Sequence, residues 1–239
     1  MAFEFSQSLI DTNLPSLYHT YKSMRSFQEY ITEVFDKPLN FSSFDSSSVG
    51  DVYMTRYFHH NGEIYSLTDD MDENTKLIDS LGYEYTDKIP AVAYHISFYA
   101  DGISPKMAEE IADLMNVEKR LIEDEVYDLS FARMEGTIEK VAVPFKGSTW
   151  MMKKVGSAID DDLSRLSTKE TVAVFSTVLA ASLDFVKRKN PAGIYYAIKK
   201  NAKMARSRIY DRIAKRNGGK LISLPDRKSM KGVRMVWFR

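Results

Sequence analysis

The run STKETVAVFSTVLAASLDFVKRKNPAGIYYAI, Ser167 to Ile198, decides the fold. Ser167-x-x-Glu170 is a capping box, in which serine hydroxyl and glutamate carboxylate each cover a backbone N–H of the first turn. Behind it, Val172, Phe175, Val178, Leu179, Leu183 and Val186 recur at helical spacing in a nearly all-apolar segment. The apolar stretch from Thr171 to Val186 contains Asp184 and falls short of the about 20 residues a membrane span needs. A buried helix is therefore predicted, and no membrane partner. Asn190-Pro191 stops it, and Gly193 to Ile198 reads as a strand. A buried helix feeding a strand belongs to a sheet with helices packed on it.

Downstream, a basic amphipathic helix is predicted over about 202–216, presenting Met204, Ile209, Ile213 and Tyr210, and Asn217-Gly218-Gly219 ends it. Lys220 to Leu224 and Val233 to Phe238 then read as a closing strand pair. Upstream, Phe145 to Leu166 shows no strong period and is taken as an inserted lid, a docking arm or an unassigned helix. Asp128 to Met134 and Thr137 to Val143 are predicted as a strand pair. Ser104-Pro105 opens a charged helix running to about Glu125, and Ala91 to Tyr99 is a strand with Val92, Tyr94, Ile96 and Phe98 on one face. Asp70 to Leu81 is a short helix ended by Gly82. Tyr53 to His60 and Glu63 to Leu67 flank Asn61-Gly62, the pair that best tolerates a type I′ turn. Leu39 to Gly50, rich in Ser and Asp, reads as a loop, and the first 35 residues as a helix. The expected class is α+β: a mixed sheet flanked by helices, with an N-terminal helix and hairpin module (1–85) and a body over 86–239, or one continuous domain.

Composition narrows function by exclusion. Hydrophobic residues make up 44% of the 239 and charged residues 28%, which argues for a folded chain. The absence of cysteine removes disulfides, thiolate catalysis and Cys-based metal sites, and fits a reducing compartment. The start, Met1-Ala2-Phe3-Glu4-Phe5, lacks the basic and apolar regions of a signal peptide, so a cytoplasmic location is expected. Charge sums to zero but is polarised. Residues 187–239 hold 17 Lys/Arg against Asp211 and Asp226, a net of +15, which leaves 16 basic and 31 acidic residues, a net of −15, for the rest. Such polarity suits a protein partner, self-association, or the body folding against its own tail.

Chemistry-bearing clusters are sparse. His59 and His60 are adjacent in a strand and point to opposite faces, so they do not chelate one metal together. Asp69, Asp70, Asp72 and Glu73 form a solvated acidic turn rather than an EF-hand, and no metal site is expected. His95, opposite the apolar face of its strand, reads as a structural histidine, with general base as the alternative. No Gly-x-Ser-x-Gly, Walker loop or dinucleotide fingerprint occurs. Lys199, Lys200, Lys203, Arg206, Arg208, Arg212, Lys215 and Arg216 cluster on the predicted basic helix, near Tyr195, Tyr196 and Trp237. Cations beside stackable aromatics fit nucleic-acid phosphates or an acidic partner without base-specific readout.

The order helix, strand, helix, strand, strand after Ser167, with Ala205-Arg206-Ser207-Arg208-Ile209-Tyr210 in the second helix, resembles the C-terminal half of the GNAT acetyltransferase superfamily. Together with Val174-Phe175-Ser176-Thr177-Val178 and Asn190-Pro191 it is similar to GNAT-like proteins of large tailed bacteriophages, which would place it in host cytoplasm or a virion. The resemblance covers about a third of the chain. It implies a fold in which the start of the long helix (Ser167, Thr168) and Arg208 lie at the acetyl-CoA site, with Tyr210 as the acid that protonates the leaving thiolate. In that family the loop before the helix carries glycines whose N–H groups hold the CoA pyrophosphate. Here the stretch is Ile159-Asp160-Asp161-Asp162-Leu163-Ser164-Arg165-Leu166, with no glycine and three carboxylates. The expectation is a non-catalytic interaction or assembly protein that uses no cofactor. An acyl-CoA-dependent N-acyltransferase with an atypical loop, and a non-specific nucleic-acid-binding protein, stand as alternatives.

Overall fold

A computed structural model describes residues 38–46, 50–100, 102–145, 147–154, 166–197, 212, 215–216, 218–224 and 233–239. Nine described strands form one mixed, largely antiparallel sheet, and four described helices flank it. The chain is α+β, as expected. The helix expected over the first 35 residues lies outside the described residues.

The strands are β1 (Phe41–Ser46), β2 (Gly50–His60), β3 (Glu63–Leu67), β4 (Lys88–Tyr99), β5 (Val126–Val143), β6 (Gly147–Lys154), β7 (Gly193–Ala197), β8 (Lys220–Ser223) and β9 (Val233–Trp237). The sheet runs β1-β2-β4-β5-β7-β9-β8, with β3 added to β2 and β6 to β5. The helices are α1 (Met71–Ser80), α2 (Pro105–Met115), α3 (Lys119–Glu125) and α4 (Thr168–Lys189). The sheet crosses the boundary placed at residue 86 without a break, because Asp51 to Phe58 of β2 pair with Phe98 to Ala91 of β4.

Several elements follow from local chemistry. Asn61 and Gly62 take φ of 50° and 78° and join β2 to β3 in the expected two-residue hairpin. Asp70 caps α1 by accepting from the N–H groups of Asp72 and Glu73. Ser167 caps α4 with both arms of the capping box formed, and Asn190 ends it in the left-handed conformation. β8 and β9 pair antiparallel as expected.

Four expectations give way. Leu39 to Gly50 is not all loop: Phe41–Ser46 pairs with β2 as an edge strand, which its Ser and Asp content concealed. The charged helix from Ser104 is two helices, because Asn116 turns left-handed at φ 53° and closes α2. Asp128–Met134 and Thr137–Val143 are not a hairpin but parts of β5, one strand of 18 residues. Gly136 marks no turn there. A Cβ on it would collide with the Lys153 carbonyl, so it permits close approach of β6. The true partner, β6, comes from the aperiodic Phe145–Leu166 segment, whose residues from Gly147 to Lys154 pair with Val143 to Gly136.

Helix α4 covers one sheet face. Val174, Phe175, Val178, Leu179, Ala181 and Phe185 pack on Tyr53, Tyr57, Val92, Tyr94, Ile96, Phe98 and Leu129. Phe185 stacks on Phe98 at 4.0 Å between ring centroids and meets Tyr127 edge-on at 5.0 Å. On the opposite face, α2 and α3 pack over β5, β7 and β9 through Met107, Ile111, Ile122, Tyr195 and Trp237, and α1 packs over Phe58, Ile89, Ile138 and Trp150. Each large apolar side chain so buried contributes roughly 1.5–3 kcal/mol.

Candidate functional site

β4 occupies one edge of β5 from Asp128 to Glu139. The other edge takes β7 at Val126 to Asp128, the one parallel pairing among the described strands, and β6 from Gly136 onward. Between those two contacts β5 carries Arg133, which lies opposite Tyr94 of β4 on the face under α4. The first turn of α4 stands above this point.

A polar cluster fills the space. Glu170, in the first turn of α4 and 9% exposed, is its hub. Its Oε1 accepts from the Tyr57 hydroxyl at 3.1 Å and from His59 Nε2 at 2.9 Å. Its Oε2 accepts from the Ser167 N–H and the Ser167 hydroxyl, both at 3.0 Å. Four donors on one carboxylate are about all its lone pairs take. Burial raises the pKa of Glu170, but the hydrogen bonds from His59 and Ser167 outweigh it and hold the carboxyl below its ordinary range. Tyr57 and Tyr94 are fully buried, lie nearly parallel with ring centroids 6.4 Å apart, and have hydroxyl pKa values raised chiefly by burial. Arg133 pairs with Glu135 on its own strand. Its Nε, like the Tyr94 hydroxyl, is buried and has no hydrogen-bond partner.

The positive end of the α4 dipole is thus met by the chain's own carboxylate. The opposite end is clamped just as firmly. Asp51, 2% exposed, receives both Arg188 Nη atoms at 3.3 Å and Lys189 Nζ at 3.0 Å, while Asp184 accepts from Arg188 Nε and the Tyr53 hydroxyl, each at 2.8 Å. Arg188 and Lys189 belong to the basic segment and Asp51 to the acidic body, as does Glu125, which pairs with Arg239. Part of the charge polarity is therefore satisfied within the chain.

Of the residues singled out by sequence, Ser167 is the α4 N-cap and Thr168 is exposed beside it. Arg212, Lys215 and Arg216 have helical backbone, with Lys215 and Arg216 exposed. Lys199, Lys200, Lys203, Arg206, Arg208 and Tyr210 lie outside the described residues. His60 meets the Tyr83 hydroxyl at 2.9 Å and His59 meets Glu170, so the two histidines diverge as alternation requires. Among the described residues no group of three His, Asp or Glu is placed to hold a metal, and no helix is long and apolar enough to cross a membrane. The sequence placed Tyr94 on the apolar face of its strand but gave no polar role to Tyr57, Tyr94 or Arg133. The available signal was alternation, which puts Tyr57 and His59 on one face, but the register that sets Arg133 opposite Tyr94 is not written in any local pattern. Compared with protein-family models, curated proteins and solved structures, the chain matches none.

Proposed function

We propose that the chain is a non-catalytic, GNAT-like scaffold that acts by binding a partner rather than by transferring an acyl group. The observation that carries this is the Glu170 carboxylate at the start of α4. In a GNAT enzyme that helix start holds the CoA pyrophosphate. Here its Ser167 N–H is already bonded to Glu170, whose charge opposes a phosphate a few ångströms away. The GNAT likeness itself draws support from element order: β5, α4, β7, then β9 beside β7 and β8 outermost, with the parallel β5–β7 contact limited to three residue pairs. That short parallel pairing also favours a second reading, an acyl-CoA-dependent N-acyltransferase with Tyr210 as the acid. Binding to nucleic acid through the residues around Lys199 to Arg216 gains nothing from Arg188, Lys189 and Arg239, which are engaged with acids of the same chain. The net charge of +15 on residues 187–239 against −15 on the rest makes an acidic protein surface, including that of a second copy, the fitting partner.

Calorimetric titration with acetyl-CoA and with free CoA tests this. No heat at millimolar ligand is the expected result. Binding in the micromolar range, about −8 kcal/mol, would overturn the scaffold reading, and its loss in Tyr210→Phe would support the acyltransferase instead.

A further inference from the structure

The hairpin that joins β5 to β6 turns through Pro144-Phe145-Lys146. Phe145 takes φ of 67°, a left-handed backbone that a bulky side chain adopts under strain, and its ring is fully exposed. Strained residues cluster where a chain makes contact with something else. The same chain carries a receptacle for such a ring. Where β1 begins and β3 ends on β2, a groove of about 240 Å³ opens, with Phe41, Met54 and Leu67 in its lining beside the Arg56–Asp69 ion pair at 2.7 Å. A cavity of about 150 Å³ takes benzene, so a phenyl ring has room. Groove and hairpin are neighbours: from Asp69 the chain turns to Met71, whose carbonyl accepts from Thr149 Oγ1 of β6 at 3.5 Å. Phe145, being fully exposed, does not enter the groove of its own chain.

We propose that Phe145 inserts into this groove on a second copy of the chain, giving a two-fold dimer in which each copy lends its hairpin to the other. This rests on the reading of the chain as a partner-binding scaffold and names that partner. Charge complementarity selects a second copy. Lys140 to Lys154 carry four lysines and no acid, whereas Leu67 to Glu73 carry four acids and no base. Arg56 offsets Asp69, and Lys140 and Lys153 pair with Asp79 and Glu139. Asp70, Asp72 and Glu73 remain exposed on the turn that leaves the groove, and Lys146 follows Phe145 directly in sequence. Seating the ring therefore brings a basic turn to an acidic one, which favours this pairing and fixes its register. Because groove and hairpin lie side by side, the contact repeats about a two-fold axis and closes as a dimer.

Sedimentation equilibrium of the full chain, from micromolar to millimolar concentration, tests this. A monomer–dimer equilibrium is expected. Phe145→Gly suits the left-handed backbone and leaves the fold intact. It should raise the dissociation constant about a hundredfold or more, since two rings leave apolar contact at about tenfold or more each. Ser42→Trp fills the groove from a half-buried position on β1 and should do the same. An equal mixture of these two variants should recover a dimer held by one insertion, at concentrations where each alone is monomeric. Asp69→Lys and Lys146→Glu should each weaken association about threefold, the value of an exposed ion pair, and together restore it. A chain that stays monomeric at millimolar concentration, a dimer unchanged by Phe145→Gly, or a mixture that stays monomeric overturns the inference. The scaffold reading survives those results, because a different acidic protein can be its partner. It falls instead to micromolar binding of acetyl-CoA, measured separately, which leaves the dimer contact standing.

Discussion

Replacing Glu170 with alanine should destabilise the chain more than any other single change in the first turn of α4. Two losses add. The capping box loses its N3 arm, and cap residues are worth about 0.5–2 kcal/mol. The Tyr57 hydroxyl, on a side chain with no exposed surface, loses its acceptor, at about 1–3 kcal/mol for a buried unsatisfied donor. His59 contributes little, because its side chain is 43% exposed and turns to water. The expected loss is about 3 kcal/mol, and for a chain of this length that lowers the melting temperature by roughly 6–12 °C. Urea unfolding followed by circular dichroism measures the first quantity and calorimetry the second. The pH dependence has a definite sign. The folded carboxyl has a depressed pKa, so its contribution is present above the ordinary 4.5 and is lost as pH falls below it towards the folded value. Glu170→Gln should flatten that acid limb of the stability curve. A loss under about 1 kcal/mol in Glu170→Ala, or an unchanged acid limb in Glu170→Gln, would refute the role given to the carboxylate.

Three further outcomes are expected. Gly136→Ala places a Cβ against the Lys153 carbonyl, so β6 must retreat; a loss of about 1–3 kcal/mol and faster hydrogen exchange confined to β6 and its β5 partners should follow, and unchanged exchange there would contradict the close approach. Phe185→Ala empties the stack on Phe98 and Tyr127 and should cost about 3–5 kcal/mol by urea unfolding. His95 has a depressed pKa, first from burial and then from Lys154, so the unfolded chain takes up its proton sooner and stability should decline as pH falls below the ordinary 6.5; His95→Gln should remove that part of the decline.

What the sequence disclosed depended on the range of the interactions involved. Elements set by local chemistry were legible: the Asn61-Gly62 turn, the Asp70 and Ser167 caps, and the alternation along β4. Elements set by distant pairing were not. β1 is polar enough to pass for a loop and is a strand because β2 offers it an edge. Gly136, between the two stretches predicted as a strand pair, proves to be a point of backbone approach, which only the packing of β6 reveals. The polar cluster is the extreme case. Glu170 was legible as a capping residue, but its second duty to Tyr57 and His59 spans more than 110 positions. The pairing of Tyr94 with Arg133 depends on the register of a strand whose extent the sequence had divided in two.

The claim that α4 begins on its own carboxylate, and so has no place for a pyrophosphate, is tested most directly by phosphorus NMR of CoA mixed with the full chain at millimolar concentration. The pyrophosphate and 3′-phosphate resonances should keep their free positions and widths, with and without the Glu170→Gln substitution. Shifted and broadened pyrophosphate lines with the unaltered chain would contradict the account and return α4 to the role of a cofactor-binding helix.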